Sequence, residues 1–315
     1  MSEFSAPNEI RLIRTYDAPL QAVWDAWTDD AQVAQWWGPR GFSITTHSKE
    51  FRVGGLWNYT MHGPDGTDYP NNAVYLEVEP LAKLVYDQGV SNDRPPMFRV
   101  TVLFEQVDGK TRMDMTMALA DAEAAAQTRQ RIRQHSGNST WDRLAEYLGK
   151  RLRDDDKFVI NRSFEAPQDV VFEMWTNPEH LARWLPPTGL DMRFLRADIR
   201  TGGASLYCMG NDAFTMYGRA HYEEVRRPDL LVYTQQFCDE QENIARHPMA
   251  PVWPETMRTT VEFNPEGENR TRVTVTWEVA GKASAEELAA FLAHRSSMTQ
   301  GWSGSFDKLD TVLAA

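Results

Sequence analysis

The sequence contains one stretch twice: APLQAVWDAWT at residues 18–28 and APQDVVFEMWT at residues 166–176. The same shift of 148 residues continues through pairs of aromatic, proline and glycine positions, namely Trp36 with Trp184, Pro39 with Pro187, Gly54-Gly55 with Gly202-Gly203 and Tyr59 with Tyr207. A fixed shift sustained over many positions indicates an internal repeat. The chain is therefore predicted to be one domain duplicated, with the first copy at residues 1–150 and the second at residues 151–315.

The shift grows toward the end of the chain. Trp141-Asp142-Arg143-Leu144 resembles Phe306-Asp307-Lys308-Leu309 at a shift of 165, which requires insertions in the second copy. Most of the extra length falls between Tyr233 and Val261, where residues 239–254 are a polar segment with three prolines. We expect this segment to be a loop packed on its own sheet; the alternative is that its apolar residues, with Trp253 among them, close over a pocket or contact a partner. The charged residues 150–157 are predicted to be a solvated linker.

Length and composition limit the class of protein. A chain of 315 residues, at about 150 residues per domain, suggests two domains of ordinary size. The net charge of -12 argues against a surface for nucleic acid or anionic lipid. The start of the chain lacks the features of a signal peptide, and no stretch approaches the ~18 apolar residues of a membrane span. We expect a cytoplasmic protein that binds neither nucleic acid nor membrane.

Each copy is predicted to contain a strand, two short helices, about six further strands and a long terminal helix. Alternating apolar and polar residues at 10–15 and 158–164 indicate the first strand of each copy. Thr28 and Thr176 are expected to end the first helix and cap the second. Residues 284–287 have the pattern of a capping box before the terminal helix of the second copy. This order predicts an α+β fold, in which a strongly curved antiparallel sheet grips one long helix.

Short motifs accompany this order: Trp36-Trp37-Gly38-Pro39, Gly54-Gly55-Leu56-Trp57, Gly63-Pro64-Asp65-Gly66, Trp253-Pro254 and Gly301-Trp302. With them the chain resembles, twice and over nearly its whole length, the activator of heat-shock-protein-90 ATPase-like family. That family belongs to the START-like (SRPBCC, Bet v 1-like) superfamily. The first copy lacks the Gly-Trp start of the last helix and has Ser136-Gly137-Asn138 instead. The resemblance implies two tandem helix-grip domains, each with a hydrophobic cavity between the sheet and the C-terminal helix. Relatives bind lipids, polyketides or other apolar molecules, some are cyclases, and eukaryotic members stimulate a chaperone.

No catalytic or metal-binding motif accompanies the repeat. None of the seven histidines has the i, i+4 spacing of a helical zinc site, and Cys208 and Cys238 form no CxxC pair. We therefore expect no metal and no cofactor. Four polar residues remain as candidates for acid–base chemistry, although a solvent-facing or core role is favoured for each: His135, His294, Asn58 and His62.

The aromatic faces of the strands carry the strongest functional signal. Alternation places Trp57, Tyr59 and Met61 on one face, and Ser205, Tyr207 and Met209 on the matching face of the second copy. These residues form either a core or the wall of a cavity for an apolar ligand. Because Ser205 stands opposite Trp57, we expect the cavity of the second copy to be the roomier one. The predicted cavity residues are Trp57, Tyr59, Met61, Tyr75, Trp141, Ser205, Tyr207, Met209, Tyr233, Trp253, His294, Met298 and Trp302.

Three functional hypotheses follow from these observations. The first is a protein that binds a small hydrophobic molecule, without a cofactor, in one or both cavities. The second is an enzyme of the cyclase or hydrolase type, which requires a polar pair inside one cavity, for instance His294 with Tyr207 or Tyr233. The third is a chaperone-interaction module; only the name of the family suggests it, because the repeat accounts for both copies.

Overall fold

The chain divides into two compact units, unit one at residues 1–153 and unit two at residues 154–315. A computed structural model describes residues 6–91, 93–134, 139–152, 156–247 and 250–314. Each unit has its own antiparallel sheet and its own hydrophobic core. No helix in the described part of the chain is long and apolar enough to cross a membrane.

Unit one follows the predicted order of elements. Its helices and strands are β1 (Glu9–Tyr16), α1 (Leu20–Thr28), α2 (Asp30–Trp36), β2 (Ser43–Lys49), β3 (Leu56–His62), β4 (Asp68–Glu79), β5 (Lys83–Gly89), β6 (Phe98–Val107), β7 (Lys110–Ala118), α3 (Ala122–Gln134) and α4 (Ser139–Leu152). The strands form one sheet in the order β1-β7-β6-β5-β4-β3-β2. Because α4 extends to Leu152, the first residues of the predicted linker are helical, while residues 153–155 lie outside the described part of the chain.

Unit two repeats this order. Its elements are β8 (Phe158–Phe164), α5 (Gln168–Thr176), α6 (Pro178–Trp184), β9 (Asp191–Ala197), β10 (Ala204–Asn211), β11 (Phe214–Arg226), β12 (Leu230–Cys238), β13 (Met257–Pro265), β14 (Thr271–Val279), α7 (Ala285–Ala293) and α8 (Arg295–Leu313). The sheet order is β8-β14-β13-β12-β11-β10-β9, equivalent to that of unit one. The predicted α+β fold of two tandem helix-grip domains is confirmed.

The second short helix of each unit is capped by the residue after the predicted threonine. The side chain of Asp29 accepts a hydrogen bond from the backbone N–H of Gln32, and Asn177 caps α6 in the same way. The hydroxyls of Thr28 and Thr176 instead donate to the carbonyl four residues earlier in their own helix. The threonine caps were therefore a wrong prediction, because a threonine in the last helical turn satisfies its hydroxyl locally.

The terminal helices of the two units correspond at a shift of 161 residues, not 165. Trp27 stacks on Trp141 with ring centroids 5.7 Å apart and planes 16° apart, and Trp175 stacks on Trp302 at 5.8 Å and 16°. The predicted match of Trp141 with Phe306 is therefore wrong. A slip of four residues is about one helical turn and keeps the same face apolar, so periodicity could not reveal it.

The terminal helix lies against the inner face of the sheet. In unit two, one core cluster joins Phe172 of α5, Val261 of β13 and Phe306 of α8. Register shifts between Leu206 and Tyr207 in β10, and a further one in β11, mark bulges in this sheet. Bulges bend strands and increase their twist. The curved sheet leaves space beside α8 in unit two.

Candidate functional site

Unit two contains a cavity of about 450 Å³ between the inner face of the sheet and α8. A volume of this size is typical of small-molecule sites. The walls come from β10 to β14, from the loop after α6, from the end of the inserted segment and from α8. Eleven of the 24 residues that line the cavity are methionine, phenylalanine, tyrosine or tryptophan: Tyr207, Met209, Met216, Tyr217, Tyr233, Phe237, Trp253, Met257, Trp277, Met298 and Trp302.

Seven of the eight cavity residues predicted for the second copy line this cavity: Tyr207, Met209, Tyr233, Trp253, His294, Met298 and Trp302. Ser205 does not. It is fully buried, and its hydroxyl lies 3.1 Å from the hydroxyl of Tyr222. The cavity lies in the second copy, where the roomier pocket was expected, but Ser205 is not among the residues that line it. That the seven residues bind a ligand stays a prediction.

The five cavity residues predicted for the first copy form or border the packed core of unit one: Trp57, Tyr59, Met61, Tyr75 and Trp141. The rings of Trp57 and Tyr59 stack with centroids 4.2 Å apart. Trp37 sits beside them, with its ring centroid 5.3 Å from that of Trp57 and 6.3 Å from that of Trp141. The predicted cavity wall of the first copy is therefore an aromatic core in this structure.

One position that the sequence prediction missed separates the open unit from the filled one. Trp37 and Leu185 occupy the same place, directly after the second short helix of their units. Trp37 is buried in the core, and its indole N–H donates to the Tyr59 hydroxyl at 3.2 Å. Leu185 lines the cavity. The available signal was the change from tryptophan to leucine at the shift of 148 residues.

Tyr207 is held differently from its counterpart Tyr59. It faces Gly218 across the strand pair, where Tyr59 faces Asn71. The outer atoms of the Tyr207 ring lie 2.4–2.7 Å from the point that a Cβ on Gly218 would occupy. Because glycine has no side chain, the ring can lie directly on its backbone. This position keeps the ring against the sheet and leaves the cavity open.

The tyrosine hydroxyls of the cavity are neutral groups. Burial raises the pKa of both Tyr207 and Tyr233 well above the usual value near 10. Burial also raises the pKa of the neighbouring Tyr222 to about 12, against the opposing effect of its hydrogen bond with Ser205. At neutral pH these hydroxyls therefore act as hydrogen-bond donors and acceptors rather than as charged bases.

His294 joins α7 to α8 at the edge of the cavity. Its Nδ1 lies 2.7 Å from the carbonyl oxygen of Ala290. Because a carbonyl only accepts, Nδ1 carries the proton, and Nε2 of the neutral ring is then an acceptor. The ring packs edge-on against Trp253 with centroids 6.0 Å apart. His294 thus brings one nitrogen acceptor to the same cavity as Tyr207 and Tyr233.

The inserted segment, residues 239–254, closes over the cavity rather than only packing on its sheet. Its residues His247, Trp253 and Pro254 line the cavity, and the Trp253 ring packs against Phe291 of α7 with ring centroids 5.8 Å apart. Arg246 connects the segment to α7 by donating to the Trp253 carbonyl at 2.9 Å and to Glu287. The apolar Val252 is exposed, and Met249 lies outside the described residues. The alternative interpretation of the segment is thus the one that the geometry supports.

Of the remaining polar candidates, the two that the structure describes belong to unit one and are not among the residues that line this cavity. His62 is in unit one, with Nδ1 2.6 Å from Asp68 and Nε2 2.8 Å from the Thr45 hydroxyl. Asn58 is exposed on the same strand. His135 lies outside the described residues. Of the four candidates, His294 is the one that the structure places at the cavity.

Both units match the same family model. The model described as Activator of Hsp90 ATPase homolog 1-like protein matches residues 17–149 and 165–314. Among curated proteins, none matches the chain. The chain is similar to a solution NMR structure of a Staphylococcus epidermidis protein, at 27% identity and a TM-score of 0.44, covering 49% of this chain and 97% of that one. It is also similar to the crystal structure of Ms6760 from Mycobacterium smegmatis, at 23% identity and a TM-score of 0.42, covering 50% of this chain and 90% of that one. A third similar structure is that of the di-domain ARO/CYC BexL from the BE-7585A biosynthetic pathway, at 14% identity and a TM-score of 0.39, covering 98% of this chain and 99% of that one.

Proposed function

Because the chain belongs, through both of its units, to the family of Activator of Hsp90 ATPase homolog 1-like proteins, we propose that it binds a small apolar molecule in unit two. The observation that carries this proposal is the cavity of about 450 Å³ beside α8. Its aromatic and methionine walls suit an apolar ligand, and a few polar groups can fix the orientation of that ligand. Unit one has the same fold, but Trp37 fills the equivalent place.

A dye titration tests this proposal. The probe is N-phenyl-1-naphthylamine, a neutral dye whose emission rises when it leaves water, and the protein is the full chain. We expect the wild type to bind the dye. Leu185→Trp, which gives unit two the residue of unit one, is expected to weaken binding by at least about tenfold, because the new ring displaces ligand from the cavity.

Leu195→Trp is the matched control. Leu195 lies on β9, is 38% exposed and does not line the cavity, so the same change there should leave dye binding unaltered. Circular dichroism and thermal unfolding check that both variants are folded. Equal binding by the wild type and a folded Leu185→Trp variant, or no binding by the wild type, would contradict the proposal.

An enzyme acting inside the same cavity is the second candidate function. It is favoured by one specific observation: His294, Tyr207 and Tyr233 all line one cavity, and Nε2 of His294 is free of the hydrogen bond that anchors Nδ1. A histidine nitrogen and neutral hydroxyls that line the same cavity are groups that general acid–base catalysis uses. The reaction class that these residues suit is proton transfer on a bound apolar substrate, including ester hydrolysis.

Hydrolysis of p-nitrophenyl butyrate separates the enzyme from the binding protein. An enzyme that uses His294 should lose roughly 100-fold or more of its rate in His294→Ala, whereas dye binding should persist. His221→Ala, on an exposed position of β11, is the control and should change neither. A wild-type rate equal to that of His294→Ala and of buffer would remove this candidate for ester substrates.

A further inference from the structure

We propose that the ligand of unit two is a planar bicyclic aromatic molecule with a ring N–H or O–H donor, of which indole is the simplest example. Tyr207 and Gln235 are the residues that we assign to its recognition. This assignment rests on the proposed function and deepens it. It comes from comparing two sites of the same chain: unit one holds an indole ring of its own where unit two has the open cavity.

In unit one, the Trp37 side chain is held by one hydrogen bond and by contacts with aromatic rings. Its indole N–H donates to the Tyr59 hydroxyl at 3.2 Å, and that hydroxyl lies 3.4 Å from Oε1 of Gln88. The Trp37 ring packs edge to face against two other rings. Its centroid lies 5.5 Å from that of Trp27, with the planes 76° apart, and 6.3 Å from that of Trp141, with the planes 89° apart. Edge-to-face contacts with aromatic neighbours are a favourable arrangement for a flat ring.

Unit two has the same types of residue at these places and lacks the ring itself. Tyr207 on β10 corresponds to Tyr59 on β3, because both occupy the same place on the third strand along the chain of their unit. Gln235 corresponds to Gln88, because each lies across from an alanine, Ala220 or Ala73, in its strand pair. Tyr207, Gln235 and Trp302, the counterpart of Trp141, all line the cavity. The acceptor and the aromatic wall are thus present without the indole.

The polar groups at this point in unit two have lost their protein partners. In unit one the Gln88 amide donates to Asn71 at 3.1 Å, but the position of Asn71 is Gly218 in unit two. Within the described ranges, neither the Tyr207 hydroxyl nor the Gln235 amide has a hydrogen-bond partner in the protein. Polar groups in an apolar cavity gain stability when a ligand or water satisfies them.

These groups select among the classes of apolar ligand. A purely aliphatic ligand would leave Tyr207 and Gln235 unsatisfied, which is unfavourable. A ring N–H or O–H can donate to the Tyr207 hydroxyl, as Trp37 does to Tyr59. The methionines around the cavity favour contact with an aromatic ring. At about 450 Å³ the cavity also has room for substituents, which would extend toward His294 and its acceptor nitrogen.

Isothermal titration calorimetry with two isosteres tests the proposal on the full chain. Indole and benzothiophene have nearly the same shape, but sulfur replaces the N–H donor in benzothiophene. We expect the wild type to bind indole roughly 3- to 10-fold more tightly than benzothiophene, the range for one net hydrogen bond. Tyr207→Phe should remove this preference by weakening indole binding alone. Tyr59→Phe, the same change in the filled unit, should leave the preference intact.

The outcomes separate this proposal from the proposed function. If wild type binds benzothiophene as tightly as indole, or if folded Tyr207→Phe keeps the preference, the assigned recognition is wrong although an apolar site remains. If N-phenyl-1-naphthylamine binds but neither isostere does, the bicyclic ligand is likewise wrong. If neither the dye nor the isosteres bind, the proposed function itself fails. Gln235→Leu is a second test of the assigned recognition, because it should weaken the binding of indole more than the binding of benzothiophene.

Discussion

At the scale of single residues, one exchange distinguishes a filled unit from an open one. Trp37 occupies the centre of an aromatic cluster, whereas Leu185 leaves the equivalent space as a cavity. A leucine in place of a tryptophan removes a large ring and its N–H donor, while the surrounding sheet and helices keep their arrangement. The two units therefore show the same fold with and without an internal occupant.

Trp37→Leu should convert unit one toward the open form. Removing a large buried ring creates a cavity, and the expected loss is roughly 2–4 kcal/mol in the free energy of unfolding. Urea denaturation measures that loss. The same variant should bind a second molecule of N-phenyl-1-naphthylamine per chain. A loss below about 1 kcal/mol, or a destabilised but folded variant with no second dye site, would show that Trp37 does not keep this space closed.

Sequence reasoning at this scale found seven of the residues that line the cavity but missed the exchange of Trp37 for Leu185. Tyr207 and Met209 were predicted from the alternation of a single strand, which fixes the face of each residue. Ser205 was chosen because it is small, yet it is buried outside the lining of the cavity, with its hydroxyl 3.1 Å from that of Tyr222. Which neighbour moves into a gap depends on packing in three dimensions, and a pairwise match of residues does not contain that information.

At the scale of elements, the inserted segment and the helices α7 and α8, which His294 joins, form one side of the cavity. Arg246 holds the segment to α7 through the Trp253 carbonyl and Glu287. The segment contributes Trp253 and Pro254 to the wall. A loop that covers a cavity and is fixed by a few polar contacts is a natural place to control entry and release of a ligand.

Arg246→Ala should speed the release of ligand with little effect on the fold. Losing one exposed ion pair and one hydrogen bond should raise the dissociation rate of the dye by roughly 2- to 10-fold in stopped-flow displacement. Arg226→Ala is the control, because Arg226 is an exposed arginine that pairs with Glu224 and Asp229 at a turn outside the cavity. Equal dissociation rates for both variants and wild type would mean that the segment does not limit release.

The sequence predicted the elements better than their relation to one another. The capping box of Ser284 and Glu287 is confirmed, because this signal is local and each partner lies within one helical turn. The alignment of α4 with α8 slipped by four residues, because a helical pattern repeats at nearly that interval. For the inserted segment, composition indicated a loop but could not decide whether it packs on the sheet or covers a pocket.

At the scale of the whole molecule, the chain is a duplication whose copies have diverged inside a conserved fold. The family, predicted from the resemblance of the motifs, and the tandem arrangement, predicted from the repeat, are confirmed. Duplication makes such divergence tolerable, because one copy can lose a cavity while the other keeps it. Each unit has its own core, so a filled centre in unit one and an open centre in unit two are compatible with one architecture.

The number of dye molecules bound per chain tests the central claim most directly. Equilibrium titration of the full chain with N-phenyl-1-naphthylamine, alongside Leu185→Trp and Leu195→Trp, gives that number. The cavity of unit two predicts one site in the wild type, one of the same affinity in Leu195→Trp, and a site at least about tenfold weaker in folded Leu185→Trp. Two sites in the wild type, or one site of wild-type affinity in folded Leu185→Trp, would contradict it.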